Sequence, residues 1–163
     1  MSRASSSRFT AGPGVRAGGP DPLIWRLGLA LLLIAILDFA AWVRLAPVRP
    51  ERWHRVPGTA AQVGDWVEPG GFEAVRQLPK PQAAMTALDA LIMATSRTTR
   101  LEGAPEDGLV TYVTRSALWG FPDITNLWLE GGRLHIRGHL VYGRSDLGVN
   151  RARIEGWLVR AGL

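Results

Sequence analysis

The sequence predicts an α+β domain, a small antiparallel sheet with two helices in the order β-α-β-β-β-α, preceded by one transmembrane helix. Three observations carry this reading. Residues 23–45 are almost continuously apolar. The pair Gly131-Gly132 separates two runs in which apolar and polar residues alternate. Apolar residues recur at helical spacing through Ala84, Met85, Leu88, Leu91, Ile92 and Thr95, and again through Ile154, Trp157 and Leu158.

Charge is divided unevenly along the 163 residues. Residues 1–55 hold eight arginines against Asp21, Asp38 and Glu51, a balance of +5. Residues 56–163 hold ten arginines and Lys80 against eleven acids, a balance of zero. A nucleic-acid module would carry its excess on the folded part, so nucleic acid is excluded as a partner. Basic residues flanking an apolar segment point instead to a lipid bilayer. The chain has no cysteine, which rules out disulfides, thiol chemistry and cysteine-ligated zinc.

Residues 1–22 are rich in Ser, Gly, Pro and Arg and predict a disordered tail. Residues 23–45, at about 1.5 Å each, give about 34 Å, enough to span a hydrocarbon core of about 30 Å. Asp38 opposes insertion by roughly 2.5–3.5 kcal/mol at a helix centre. Eleven Leu, Ile, Phe and Val residues between Leu27 and Leu45 favour it by roughly 3–7 kcal/mol. Trp25 and Trp42 stand at the two ends, where interfacial belts place tryptophan. A cleaved signal peptide is the competing reading. The long leader and the length of the run speak against it, and Ala40-Ala41 is a weak cleavage signal.

Asp38 has two readings. With Ala35 and Ala41 it makes a stripe that seats a helix of another membrane protein; or it is a tolerated acid reached by water. Orientation by charge is a tie. Arg3, Arg8, Arg16 and Arg26 stand on one side, and Arg44, Arg49, Arg52 and Arg55 on the other. Residues 46–71, with Pro47, Pro50, Pro57, Pro69 and Gly70-Gly71, predict an extended linker.

Residues 72–163 predict the folded domain. Phe72–Leu78 alternates weakly and reads as a strand. Pro79-Lys80-Pro81 ends it and opens a helix with Pro in the first turn, running to about Ser96. Thr98–Leu101 reads as a short strand, and Pro105-Glu106-Asp107-Gly108 turns into the strand Leu109–Ala117. The hairpin at Gly131-Gly132 sets Glu130 opposite Arg133, Trp128 opposite His135, Leu127 opposite Ile136 and Asn126 opposite Arg137. Leu127, Leu129, Leu134, Ile136 and Leu140 then share the core face. Arg133, His135, Arg137 and His139 share the other, read as solvated or as an anion-binding or docking face. Asn150 is placed to cap the last helix, with Val149 and Ile154 as a hydrophobic staple.

No motif names a reaction. His135 and His139 lie four residues apart on a strand, roughly 13 Å at about 3.3 Å per residue, too far for one zinc ion. No metal or cofactor is expected. Ser145 and Asp146 lack a Gly-x-Ser-x-Gly elbow and read as turn chemistry before a helix. Trp119-Gly120-Phe121-Pro122-Asp123 reads as a stiff corner between strands.

Three blocks together resemble a known family. They are Tyr112-Val113-Thr114-Arg115-Ser116, Gly120-Phe121-Pro122-Asp123, and Gly143-Arg144-Ser145-Asp146-Leu147-Gly148-Val149-Asn150-Arg151-Ala152-Arg153. They are similar to the domain of unknown function 1499 family of bacteria and plant plastids, over about residues 72–161. The pattern carries over to Arg115, Ser116, Phe121, Pro122, Asp123, Ser145, Asp146, Gly148, Asn150 and Arg153. One departure is the strand before the Gly-x-Ser-Asp turn. It is often rich in Ser and Arg in the family and here reads Arg137-Gly138-His139-Leu140. The resemblance implies no established activity. It implies an extracytoplasmic or membrane-associated domain and so tips the orientation towards an outside domain.

The expectation is a single-pass inner-membrane protein with a periplasmic, non-enzymatic accessory or binding domain. Arg115, Ser116, Asp123, Arg144, Ser145, Asp146, Asn150 and Arg153 are expected to gather as a binding or structural network. The alternative is a small enzyme or ligand-binding domain acting on an anionic or lipidic compound through Arg115, Asp123 and Asp146.

Overall fold

A computed structural model of the chain describes residues 21–57 and 62–163. The tail read as disordered, residues 1–22, lies outside the described residues except for Asp21 and Pro22. Helix α1 spans Pro22–Leu45, matching the apolar run, and is long and apolar enough to cross a membrane. From Asp38 onward the chain forms one compact unit.

That unit is α+β. After α1 come α2 (Pro50–Trp53), β1 (Gly64–Glu68), β2 (Gly71–Gln77), α3 (Pro81–Met93), β3 (Thr98–Ala104), β4 (Leu109–Arg115), β5 (Pro122–Glu130), β6 (Arg133–Leu140) and α4 (Val149–Ala161). The six strands make one antiparallel sheet in the order β1-β2-β6-β5-β4-β3. The expected class is therefore present with more strands than the β-α-β-β-β-α order allowed. Thr98–Ala104 is a full strand, and β1 lies inside the segment 46–71 that was read as a linker. That segment also holds α2.

The β5–β6 hairpin has the expected register, with Glu130 opposite Arg133, Trp128 opposite His135, Leu127 opposite Ile136 and Asn126 opposite Arg137. Gly131 and Gly132 have φ of 56° and 76°, the left-handed geometry that a two-residue turn of this hand requires.

One face of the sheet packs on α3 and α4. Phe72, Ala74, Val110, Tyr112, Leu127, Leu134 and Ile136 meet Met85, Leu88 and Ile92 of α3 and Ile154, Trp157 and Leu158 of α4. Pro81 opens α3, as its fixed φ suits the first turn. Trp157 Nε1 donates to Thr95 Oγ1 at 2.8 Å, which joins α4 to the residues that follow α3.

The second face is also buried, which corrects the reading of Arg133, His135, Arg137 and His139 as a solvated row. Val75, Ile124 and Trp128 are fully buried there, together with Glu73, Thr111, Asn126 and His135. The physical reason is the chain after α1. It does not run free as a linker but lies over this face. Asn126 Nδ2 donates to the Trp53 carbonyl at 3.0 Å, His54 Nδ1 is 3.0 Å from Thr111 Oγ1, and the Trp53 ring lies 5.3 Å from that of His139. Burial on both faces also explains the weak alternation of β2, whose first five residues are all buried.

Candidate functional site

The eight residues expected to gather do not form one network. Arg115 and Ser116 stand at one joint, Asp123, Asp146, Asn150 and Arg153 at a second, and Arg144 and Ser145 at neither.

The first joint lies where β4 ends. Arg115 Nη1 donates to the Val43 and Gly120 carbonyls at 3.0 and 3.1 Å, and Nη2 donates to the Ala46 carbonyl at 3.0 Å. Val43 and Ala46 stand at the C-terminal end of α1, where carbonyls lack helical partners and the helix dipole is negative. A guanidinium is suited to that position because its fork reaches several acceptors at once. Val43 is only 2% exposed. Phe39 packs edge-on against Trp119 and Phe121 at 6.2 and 6.3 Å between ring centres. Ser116 closes the corner. Its Oγ accepts from the Phe121 amide at 3.0 Å, and its own amide donates to the Phe121 carbonyl at 2.9 Å. Arg44 adds a hydrogen bond to the Leu118 carbonyl.

The second joint ties β5 to α4. Asp123 opens β5 and is 6% exposed. Arg153 Nη2 donates to its Oδ2 at 3.0 Å, and Arg153 Nη1 donates to Asn150 Oδ1 at 3.1 Å. Burial pushes the Asp123 carboxyl above its ordinary range, and the Arg153 guanidinium pulls it partly back. Asp146 caps α4. Its two oxygens accept from the Gly148 and Asn150 amides at 3.0 and 2.8 Å. Desolvation works against the Asp146 carboxylate, yet these backbone amides outweigh it and hold its pKa below the ordinary value.

Asn150 therefore does not cap the helix. The helix starts at Val149, so Asn150 already lies within the first turn, buried to 1%. It rests instead against Gly138 of β6. A Cβ added at Gly138 would stand 2.9 Å from Asn150 Oδ1. The departure noted in that strand thus has a steric reason at its glycine. Ser145 Oγ accepts from the Leu147 amide at 3.3 Å, a turn contact. Arg144 is exposed and joins neither joint among the described residues. Asp38 is exposed on α1, again with no described partner.

Two cavities accompany these joints. One of about 1180 Å³ lies between residues 46–53 and Pro122, Val141 and Tyr142. One of about 380 Å³ lies on the second sheet face, lined by Trp53, Arg55, Asn126, Arg137 and His139 among others. Neither is lined by Arg115, Asp123 or Asp146. Arg137 and His139 of this cavity belong to the polar row that the sequence offers as an anion-binding or docking face, with Asn126 opposite Arg137.

The geometry defines a small α+β domain whose charged signature residues act as internal fasteners, one of them on the end of an apolar helix. The chain belongs to the DUF1499 family, described as a protein of unknown function, whose pattern matches residues 55–160. A comparison with curated proteins gives no match.

Proposed function

We propose that this protein is a single-pass inner-membrane protein whose periplasmic domain is a non-enzymatic accessory or binding module. The observation that carries the reading is the first joint. Arg115 holds the last carbonyls of the apolar helix, and Phe39, Trp119 and Phe121 pack together beside it. Cleavage after Ala41 would remove Phe39 from that cluster, so an uncleaved anchor suits the domain better than a discarded leader.

The second joint supports the accessory reading over an enzyme at the same residues. Asp123 and Arg153 are turned on each other, and Asp146 is saturated by backbone amides. A buried pair of this kind fixes geometry more readily than it offers a free reactive group. Asp38 adds a partner to the proposal, a helix of another membrane protein that hydrogen-bonds it in the bilayer.

The test is a pair of C-terminal reporter fusions with the mass of the mature chain measured alongside. Active alkaline phosphatase, a dark green fluorescent protein fusion and an intact N-terminus are expected. A fluorescent fusion or a chain shortened near residue 41 would overturn the reading. Asp38→Leu is expected to release a co-purifying membrane protein, and an unchanged partner profile would remove the helix-pairing role.

A further inference from the structure

The second sheet face closes over polar groups that the fold does not use. Asn126 is 1% exposed. Both hydrogens of its amide are engaged, since Nδ2 donates to the Trp53 carbonyl at 3.0 Å and to Thr111 Oγ1 at 2.9 Å. The carbonyl partner accepts only, which fixes the orientation of the amide. Its Oδ1 is then a buried acceptor with no donor. Leaving such an atom unmet forfeits the hydrogen bond it had in water. His139 Nδ1 is in the same condition on the neighbouring strand.

Both residues line the cavity of about 380 Å³, together with Trp53, Arg55, Pro57 and Arg137. That volume falls in the range of small-ligand sites. Its charge is one-sided. Arg137 is paired with Glu68, while Arg55 is exposed and has no carboxylate partner among the described residues. Burial, Arg137 and Arg55 together push the His139 imidazole down to about 4, so it is neutral near pH 7 and offers one donor and one acceptor. Trp53 supplies a flat wall beside it.

We propose that this cavity binds a small hydroxylated oxyanion, with Arg55 meeting the anionic group and a ligand hydroxyl donating to Asn126 Oδ1. The chemistry needed is a phosphate or carboxylate with a hydroxyl a few bonds away. A free polyol phosphate and a glycerol-phosphate lipid headgroup both carry it. The site names a ligand class for the binding-module reading and rests on it. Anchor and orientation are tested separately, because binding is measured on purified protein.

The test uses the full chain in detergent, titrated by calorimetry with glycerol 1-phosphate and with inorganic phosphate. A second arm uses nanodiscs of phosphatidylglycerol or of phosphatidylcholine. Glycerol 1-phosphate is expected to bind more tightly than inorganic phosphate. Arg55→Gln and Asn126→Asp are each expected to weaken it tenfold or more, and Arg160→Gln, on the exposed side of α4, to leave it unchanged. Arg55→Gln keeps the proposal open to refutation should Asn126→Asp fail to fold. Binding of glycerol 1-phosphate supports a free ligand. Engagement by phosphatidylglycerol nanodiscs alone, again lost in Arg55→Gln, supports a headgroup. No binding by any probe, or equal binding by wild type and Arg55→Gln, overturns the site.

Discussion

The two faces of the sheet are buried by different means. Under α3 and α4 the cover is apolar, with Met85, Leu88, Ile92, Ile154, Trp157 and Leu158 meeting apolar strand residues. On the opposite face the cover is a segment with a single short helix, Pro50–Trp53, and the strand residues beneath it include Glu73, Thr111, Asn126 and His135. Apolar burial has no direction and needs only shape. Polar burial needs a partner for each group, and where one is lacking the face retains binding capacity. One face is thus a core. The other combines core and recesses, and two of its unmet polar atoms, Asn126 Oδ1 and His139 Nδ1, belong to residues that line one cavity.

This contrast can be broken at either face. The largest effect is expected for Trp157→Ala on the helix-covered face. It empties a fully buried site and loses the bond to Thr95, so urea unfolding should show a loss of about 3–5 kcal/mol.

Next comes acidification, which acts on the polar face. The folded pKa of His139 is about 4, below its ordinary 6.5. Between those values the unfolded chain binds more protons, so stability falls as pH drops from about 6.5 to about 4, by about 3 kcal/mol. His135 is lowered by burial and adds in the same sense. Asp123 is raised and acts oppositely, because the folded chain takes its proton first and gains stability as pH falls. His139→Gln should flatten the unfolding free energy between pH 6.5 and 4 relative to wild type. An unchanged slope would place His139 outside the buried face.

A smaller effect is expected for Arg153→Leu. It removes the charge-assisted hydrogen bond to the 6%-exposed Asp123 and should cost about 2 kcal/mol at pH 7. The loss should shrink at low pH as Asp123 takes a proton. Smallest is Asp146→Ala, which removes the cap of α4 and should cost about 1 kcal/mol by thermal unfolding.

The sequence was readable where several local signals agreed. Gly131-Gly132, the Glu130–Arg133 pair and the apolar row of Leu127, Leu134 and Ile136 point to one register, and that register forms. The stripes of α3 and α4 were equally plain. The second face was not, because a polar row alternates identically whether water or another segment covers it. Its cover comes from Trp53 and His54, more than fifty residues before the strands they meet. Arg115 was visible as a residue at a strand end, but its acceptors, Val43 and Ala46, are separated from it by most of the domain's sequence. The sequence points to Asn150 as the cap of α4 and to Asp146 as turn chemistry before it. The helix start at Val149 gives the capping to Asp146 instead and turns Asn150 towards Gly138.

The strand order has a consequence in time. β3, β4, β5 and β6 each pair with the strand before or after them in the chain, so they can assemble as they leave the ribosome. β2 cannot join them directly. Its inner edge, Gly71–Gln77, has no partner until Arg133–Leu140 has been synthesised. Such non-local pairing is the slow part of building a sheet. At several residues per second β2 waits some seconds, with only β1 beside it. The nascent chain therefore carries an open strand edge while its long apolar helix has already been synthesised. The hold on that helix end, through Arg115, needs only the chain as far as Gly120, so it can form before β6 arrives to complete the sheet.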